Sequence, residues 1–223
     1  MSTTLLIGAS RGIGLEMARQ YARQGGTRLI ATARDDAALG RLKELGAQTL
    51  RLDVADPASV SALSGQLDGE KIDVAWYIAG VIDRADARTP PTQPDFDRVM
   101  HANVLGAMQV IPQVAPLVEA ARGRFGFITS QMGHIGSVSS GGAWLYRVSK
   151  AALNMAVKAA QPSYPDALFA LFHPGWVQTE MGGANATVTV PDSAAGLIGS
   201  LAALTAADRS VFMAYDGKRY DGW

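Results

Sequence analysis

Short apolar runs alternate along this chain with longer stretches of helical periodicity. The runs at 5–7, 29–31, 49–52, 74–78, 125–128 and 168–172 are nearly continuous in apolar residues. That is the pattern of strands buried on both faces of a sheet. Residues 210–215 read as a seventh strand. Between them, the periodicity predicts helices over 13–24, 36–45, 57–67, 95–121, 144–161 and 192–206. Asp56 followed by Pro57 is an N-cap with proline at the one helical position that tolerates it. Strand–helix alternation predicts an α/β fold: a Rossmann-type, doubly wound, mainly parallel seven-stranded sheet with helices on both faces. No repeat or low-complexity linker interrupts the pattern, so residues 1–223 are expected to form one domain. The prolines and charges of 81–94 predict a loop, and a short lid is expected near 180–192.

Composition narrows the task. Apolar residues make up 48% and charged residues 18%, as a packed core requires. Lysine plus arginine equals aspartate plus glutamate at 20 each, so no basic field exists to hold nucleic acid. Cysteine is absent, which excludes thiolate nucleophiles and cysteine-ligated zinc and suits a reducing, cytoplasmic location. His101, His134 and His173 lack metal-ligand spacing, and no metal is expected. The N-terminus has no basic region before its apolar run, and the apolar stretch 196–207 is too short to span a membrane. No membrane partner is expected; that stretch suits a packed helix near a subunit contact.

Gly8-Ala9-Ser10-Arg11-Gly12-Ile13-Gly14 follows the first predicted strand and opens the first helix. Glycine there lets backbone approach a pyrophosphate, and the helix N-terminus offers free N–H donors. A glycine triplet alone is also how a tight strand–helix turn is built. The position at the first strand–helix junction favours dinucleotide binding.

This Gly-x-x-x-Gly-x-Gly spacing resembles that of the short-chain dehydrogenases/reductases, and the resemblance extends over nearly the whole chain. Asp53-Val54 after the third strand is similar to the family's adenine contact. Ala79-Gly80 closes the fourth strand where the family has Asn-Asn-Ala-Gly. Asn103-Val104-Leu105-Gly106 resembles its helical asparagine motif. Ser130, Tyr146 and Lys150 match its catalytic serine and Tyr-x-x-x-Lys pair. Pro174-Gly175-Trp176-Val177-Gln178-Thr179 matches its segment after the sixth strand. The stretch Tyr146 to Met155 and the ending Tyr215-Asp216-Gly217 to Trp223 resemble the carbonyl-reductase-like branch, which includes sniffer and bacterial C-factor proteins. Two departures stand out. Ile7 replaces the usual threonine, and Tyr77-Ile78 replaces the usual asparagines. With both sides of that polar contact apolar, the pair reads as a compensated swap, because losing both partners of a buried bond is far milder than losing one.

The resemblance implies NADP-dependent or NAD-dependent hydride transfer between a carbonyl and an alcohol. Tyr146 and Lys150 are four apart on a predicted helix and share a face. A tyrosine ionises near pH ~10, and a neighbouring ammonium favours its phenolate. Lys150, together with an oxidised nicotinamide, is placed to lower that value. Tyr146 would exchange the proton, Ser130 would hydrogen-bond the same substrate oxygen, and Asn103 would hold a water in a relay behind the lysine. The rival serines Ser137, Ser139 and Ser140 do not end a strand.

Which nicotinamide is read from the end of the second strand. NAD enzymes of this type place an acid there for the ribose 2′-hydroxyl. Here the strand ends Ala33-Arg34, and Arg11 sits in the glycine turn, so NADP(H) is favoured over NAD(H). Asp35 and Asp36 are expected to start the next helix instead. The walls of a substrate pocket are expected from Met132, Trp144, Trp176 and Met181, and no lysine or arginine lies in the lid. A small neutral carbonyl or alcohol is the expected substrate, and a homodimer or homotetramer the expected assembly. The alternative is a cofactor-bound sensor or signalling protein of the C-factor type with little turnover.

Overall fold

The computed structural model describes residues 1–223. Seven strands form one sheet: β1 (Ser2–Ile7), β2 (Thr27–Ala33), β3 (Gln48–Arg51), β4 (Val74–Tyr77), β5 (Arg124–Ile128), β6 (Leu168–His173) and β7 (Val211–Ala214). Their order is β3-β2-β1-β4-β5-β6-β7 and every pairing is parallel. The order reverses between β1 and β4. In an open parallel sheet a crevice forms at such a point, outside the carboxyl ends of the strands.

Eight helices connect them: α1 (Gly12–Arg23), α2 (Asp36–Glu44), α3 (Pro57–Ser61), α4 (Leu63–Gln66), α5 (Gln93–Met100), α6 (Gly106–Ala120), α7 (Trp144–Ala160) and α8 (Val190–Ala203). Polar caps set several starts. The carboxylates of Asp35 and Asp56 accept from the backbone N–H groups of Ala38 and Ala58. Thr92 and Thr189 cap α5 and α8 in the same way. Asp35 and Asp36 thus belong to the helix start, as the sequence implies.

The sheet divides the apolar interior in two. One face packs Leu5, Phe125, Phe127 and Phe169 under α6 and α7; the other packs Leu6, Trp76 and Phe172 under α1 and α8. Gly126 is required where the sheet meets Trp76: a Cβ there would lie 2.5 Å from the indole ring.

Two expected helices differ from the structure. The 57–67 segment is two short helices meeting at Ala62. The 95–121 segment is α5 and α6 joined by a π-helical turn, His101–Leu105, whose wider i→i+5 winding inserts an extra residue. Pro112 and Pro116 lie inside α6 and each removes a helical N–H. Burial of Val110, Ile111, Val114 and Val118 against the sheet holds this helix despite them.

Candidate active site

A cleft of about 450 Å³ runs along the carboxyl ends of the strands. Its floor begins at the glycine turn. Gly8 has φ of +94°, and a Cβ on it would come within 2.7 Å of the Ala79 nitrogen. Gly14 lets α1 start hard against β1, since a Cβ there would be 2.3 Å from the Gly8 carbonyl. Only hydrogen fits at either position, and the backbone thereby becomes a concave cradle. Ser10, Arg11, Gly12 and Ile13 complete this edge.

The Ile7 and Tyr77-Ile78 departures leave the cradle intact. The N–H groups of Ile78 and Ala79 both donate to the Ile7 carbonyl, at 2.9 and 3.2 Å. On the other side the Gly8 N–H donates to the Thr32 hydroxyl at 3.1 Å. Backbone and Thr32 therefore do the tying. Tyr77 is fully buried, but its hydroxyl is satisfied, donating to the Ala102 carbonyl at 2.9 Å. Thr32 has no mark in the sequence that distinguishes it from a strand threonine.

At one end of the cleft lie Ala33, Arg34, Asp53 and Val54. Arg34 stands 3.9 Å from the Asp53 carboxylate, and Arg11 is ion-paired with Glu180. Arg41, reaching back from α2, donates to the Ser10 carbonyl at 3.3 Å. Arg34 thus stands where the residue after Ala33 is not an acid, and Arg41 beside the glycine turn was beyond reach of sequence pattern because only α2 packing brings it there.

At the other end lie Tyr146, Lys150, Ala79 and Gly80. Tyr146 and Lys150 sit one turn apart on α7, 7% and 3% exposed. The Lys150 Nζ donates to the Ile128 carbonyl at 3.0 Å and lies 5.7 Å from the Tyr146 ring centroid. Burial pulls the ammonium down to about 8. Burial also pushes the Tyr146 phenol up to about 12, partly opposed by a hydrogen bond with Ser130. The lowering expected from the sequence joined Lys150 with an oxidised nicotinamide; in the protein alone dehydration is the largest influence on the phenol. Ser130 follows β5, and its Oγ accepts from the Met132 N–H at 3.1 Å.

Asn103 sits in the π-helical turn, fully buried. Its Nδ2 donates to the Val81 carbonyl at 2.8 Å and the Ser149 hydroxyl at 2.9 Å, while its Oδ1 accepts from the Val81 N–H at 2.8 Å. The side chain clamps the loop after β4 to α7. Gly80 permits this, because a Cβ there would lie 3.2 Å from Asn103 Oδ1 and 3.4 Å from Lys150 Nζ.

Pro174 and Thr179 border the cleft, with Gln178, Glu180 and Met181. Gly175 and Val177 do not face it. Gly175 turns the chain at φ +86°, packed against Val188 and Tyr215, and Val177 is buried with its backbone bridged to Val188. Of the expected pocket walls, Met181 borders the cleft with Tyr146. Trp176 is half exposed and donates to the Gly182 carbonyl, while Met132 and Trp144 are half-buried away from the cleft lining. Arg84 comes to the lid from the loop after β4, donating to the Met181 carbonyl at 2.5 Å, a contact that sequence order hides.

The fold, the glycine cradle and the buried tyrosine–lysine pair define a nucleotide-dependent oxidoreductase architecture. A family model for short chain dehydrogenases matches residues 2–188, and the chain belongs to that family of nicotinamide-dependent oxidoreductases. It is 37% identical over 145 residues to C-signal of Myxococcus xanthus, covering 64% of this chain and 82% of that protein. It is 33% identical over 231 residues to the 1-hydroxy-2-glutathionyl-2-methyl-3-butene dehydrogenase of Rhodococcus sp., covering 97% and 98%. The NADPH-bound carbonyl reductase from chicken fatty liver superposes with a TM-score of 0.89 at 26% identity, over 100% and 99% of the two chains. No helix is long and apolar enough to cross a membrane.

Proposed function

We propose that this chain is an NADP-dependent carbonyl reductase or alcohol dehydrogenase that interconverts a ketone or aldehyde and its alcohol, with Tyr146 as the acid/base. The observation that carries this is the pairing of buried Tyr146 and Lys150 at one end of a cleft that begins at a glycine cradle, with buried Ser130 hydrogen-bonded to Tyr146 behind them. The cradle fits a dinucleotide pyrophosphate, since the turn that Gly8 and Gly14 allow lines the cleft and opens α1, whose first N–H groups are free to donate. The bound nicotinamide supplies or accepts the hydride. Tyr146, protonated at neutral pH as any phenol is, donates its proton to the carbonyl oxygen. Ser130 hydrogen-bonds that oxygen, and Lys150 offsets the charge left on the phenol. Arg34 and Arg11 would hold a 2′-phosphate, and with Arg34 rather than an acid after Ala33 NAD would lack its usual ribose partner. Arg84 reaches the lid but is already engaged by the Met181 carbonyl, which favours a small neutral carbonyl substrate.

The test is NADPH oxidation, followed by absorbance, against a panel of aldehydes and ketones. Tyr146→Phe should lower the rate by at least about 100-fold with NADPH affinity kept. An undiminished rate in the variant overturns the assignment. The kcat/KM for a neutral aryl ketone should exceed that for the matched keto acid. A second reading, a cofactor-bound signalling protein with little turnover, rests on the similarity to C-signal. Single-turnover behaviour with every carbonyl tested would favour it. The exposed Phe96, Met108, Val148 and Met155 on α5, α6 and α7 support assembly as a homodimer or homotetramer.

A further inference from the structure

The catalytic helix carries another buried polar side chain that the mechanism above leaves unused. Asn154 lies four residues beyond Lys150 and eight beyond Tyr146 on α7, and is 2% exposed. Its two ends reach the two sides of Ser130. The Oδ1 accepts from the Thr129 hydroxyl at 2.6 Å, and the Nδ2 donates to the Gly133 carbonyl at 3.3 Å. Thr129 immediately precedes the serine and is pinned to β6 through its N–H, which donates to the Phe172 carbonyl at 2.8 Å. Gly133 closes the turn after the serine, its N–H donating to the Ser130 carbonyl at 2.9 Å.

We propose that Asn154 is a positioning residue for Ser130: its carboxamide brackets both flanks of the serine and fixes the hydroxyl against Tyr146. The proposal rests on the reading of Ser130 and Tyr146 given above. The turn is in tight contact with α7 at this point, since a Cβ on Gly133 would lie 2.8 Å from the Lys150 carbonyl carbon. The bracket therefore sets the height of the serine along the helix that bears its two partners. Gly133 and Thr129 are both buried, so removing the carboxamide takes the side-chain donor from the Gly133 carbonyl and leaves the Thr129 hydroxyl only its long contact with the Lys150 carbonyl at 3.5 Å, in a dry place. The turn must shift to pair them. A shift of about 1 Å in a group meeting the reacting oxygen lowers turnover by about 100-fold, while a cofactor held mainly at the glycine cradle is unaffected.

The experiment uses Asn154→Ala and, as a milder perturbation that keeps side-chain volume, Thr129→Val. Each is made in the parent and in Ser130→Ala. Reduction of 4-nitrobenzaldehyde by NADPH, NADPH dissociation constants and hydrogen exchange over residues 129–137 are measured. In the parent, Asn154→Ala should lower kcat by about 10- to 100-fold and leave the NADPH constant within about twofold. In Ser130→Ala the same change should lower kcat by less than about twofold, because an effect transmitted through the serine vanishes with it. Exchange over 129–137 should quicken in both bracket variants. Equal losses on the two backgrounds, or an NADPH constant that moves in step with kcat, would overturn the proposal. Hydrogen exchange reads the bracket even if the parent reduces no carbonyl. A dead parent with quickened exchange therefore counts against the proposed function, whereas unchanged exchange counts against the bracket.

Discussion

Lys150→Met isolates the stability cost of keeping a cation beneath the cleft. The ordinary lysine value is 10.5, and burial brings Lys150 down to about 8. Between those values the unfolded chain binds a proton that the folded chain does not. Stability from this group therefore rises as pH climbs through that window, and the full penalty stands below pH 8. The difference corresponds to about 3 kcal/mol. Against it stands the bond from Nζ to the Ile128 carbonyl, about 1 kcal/mol, which methionine cannot make. The variant should accordingly be about 2 kcal/mol more stable than the parent at pH 7, or roughly 4–8 °C in Tm for a chain of this size. The gain should vanish by about pH 10. Tyr146 does not interfere, because its raised value removes stability only as pH rises from 10 towards about 12. Urea unfolding of parent and variant at pH 7 and at about pH 9.5, with turnover measured alongside, is the assay. Turnover should be lost in the same variant. A variant less stable than the parent at pH 7, or a parent whose stability is flat from pH 7 to about 9.5, would refute the reasoning.

Arg34→Ala should weaken NADPH by about tenfold and NADH by less than about twofold, read from dissociation constants, because one charge-assisted phosphate contact is removed. Burial lowers His173 to about 4, so the stability it allows is present above 6.5 and is lost as pH falls towards 4. His173→Leu should flatten the acid side of an unfolding profile over that range. Light scattering at micromolar concentration should give a dimer or tetramer, and Met155→Glu on the exposed apolar face should shift it towards monomer.

The parts of the site that were legible in the sequence are those written in contiguous residues. Gly8, Gly12 and Gly14 occupy one turn, and Tyr146 and Lys150 one helical face, so spacing alone places them. Asp35 and Asp36 were legible as a helix start because capping is local chemistry. Contacts made across the fold leave no such mark. Thr32 on the Gly8 N–H, Arg41 on the Ser10 carbonyl and Arg84 on the Met181 carbonyl depend on sheet register and helix packing. The break at Ala62 lies inside a stretch with unbroken helical periodicity. Gly175 and Val177 show the converse: the motif locates the segment, but which residues turn inward is decided by the bridge to Val188. The dehydration of Tyr146 was not legible either, because it depends on the depth of the side chain, which spacing does not encode.

The π-helical turn at His101–Leu105 gives this chain a point at which its length cannot be edited. Each residue in a helix advances the direction of its side chain by about 100°. With the extra residue in place, Asn103 faces Val81 and Ser149 while Val110, Ile111 and Val114 on α6 still face the sheet. Removing one residue there would make a more regular helix from α5 through α6. It would also rotate either the clamp or the core stripe out of phase by a quarter turn, and no substitution elsewhere on the helix could restore both. Point changes along α5 and α6 are thus graded in effect, whereas a single-codon deletion in the turn acts all at once.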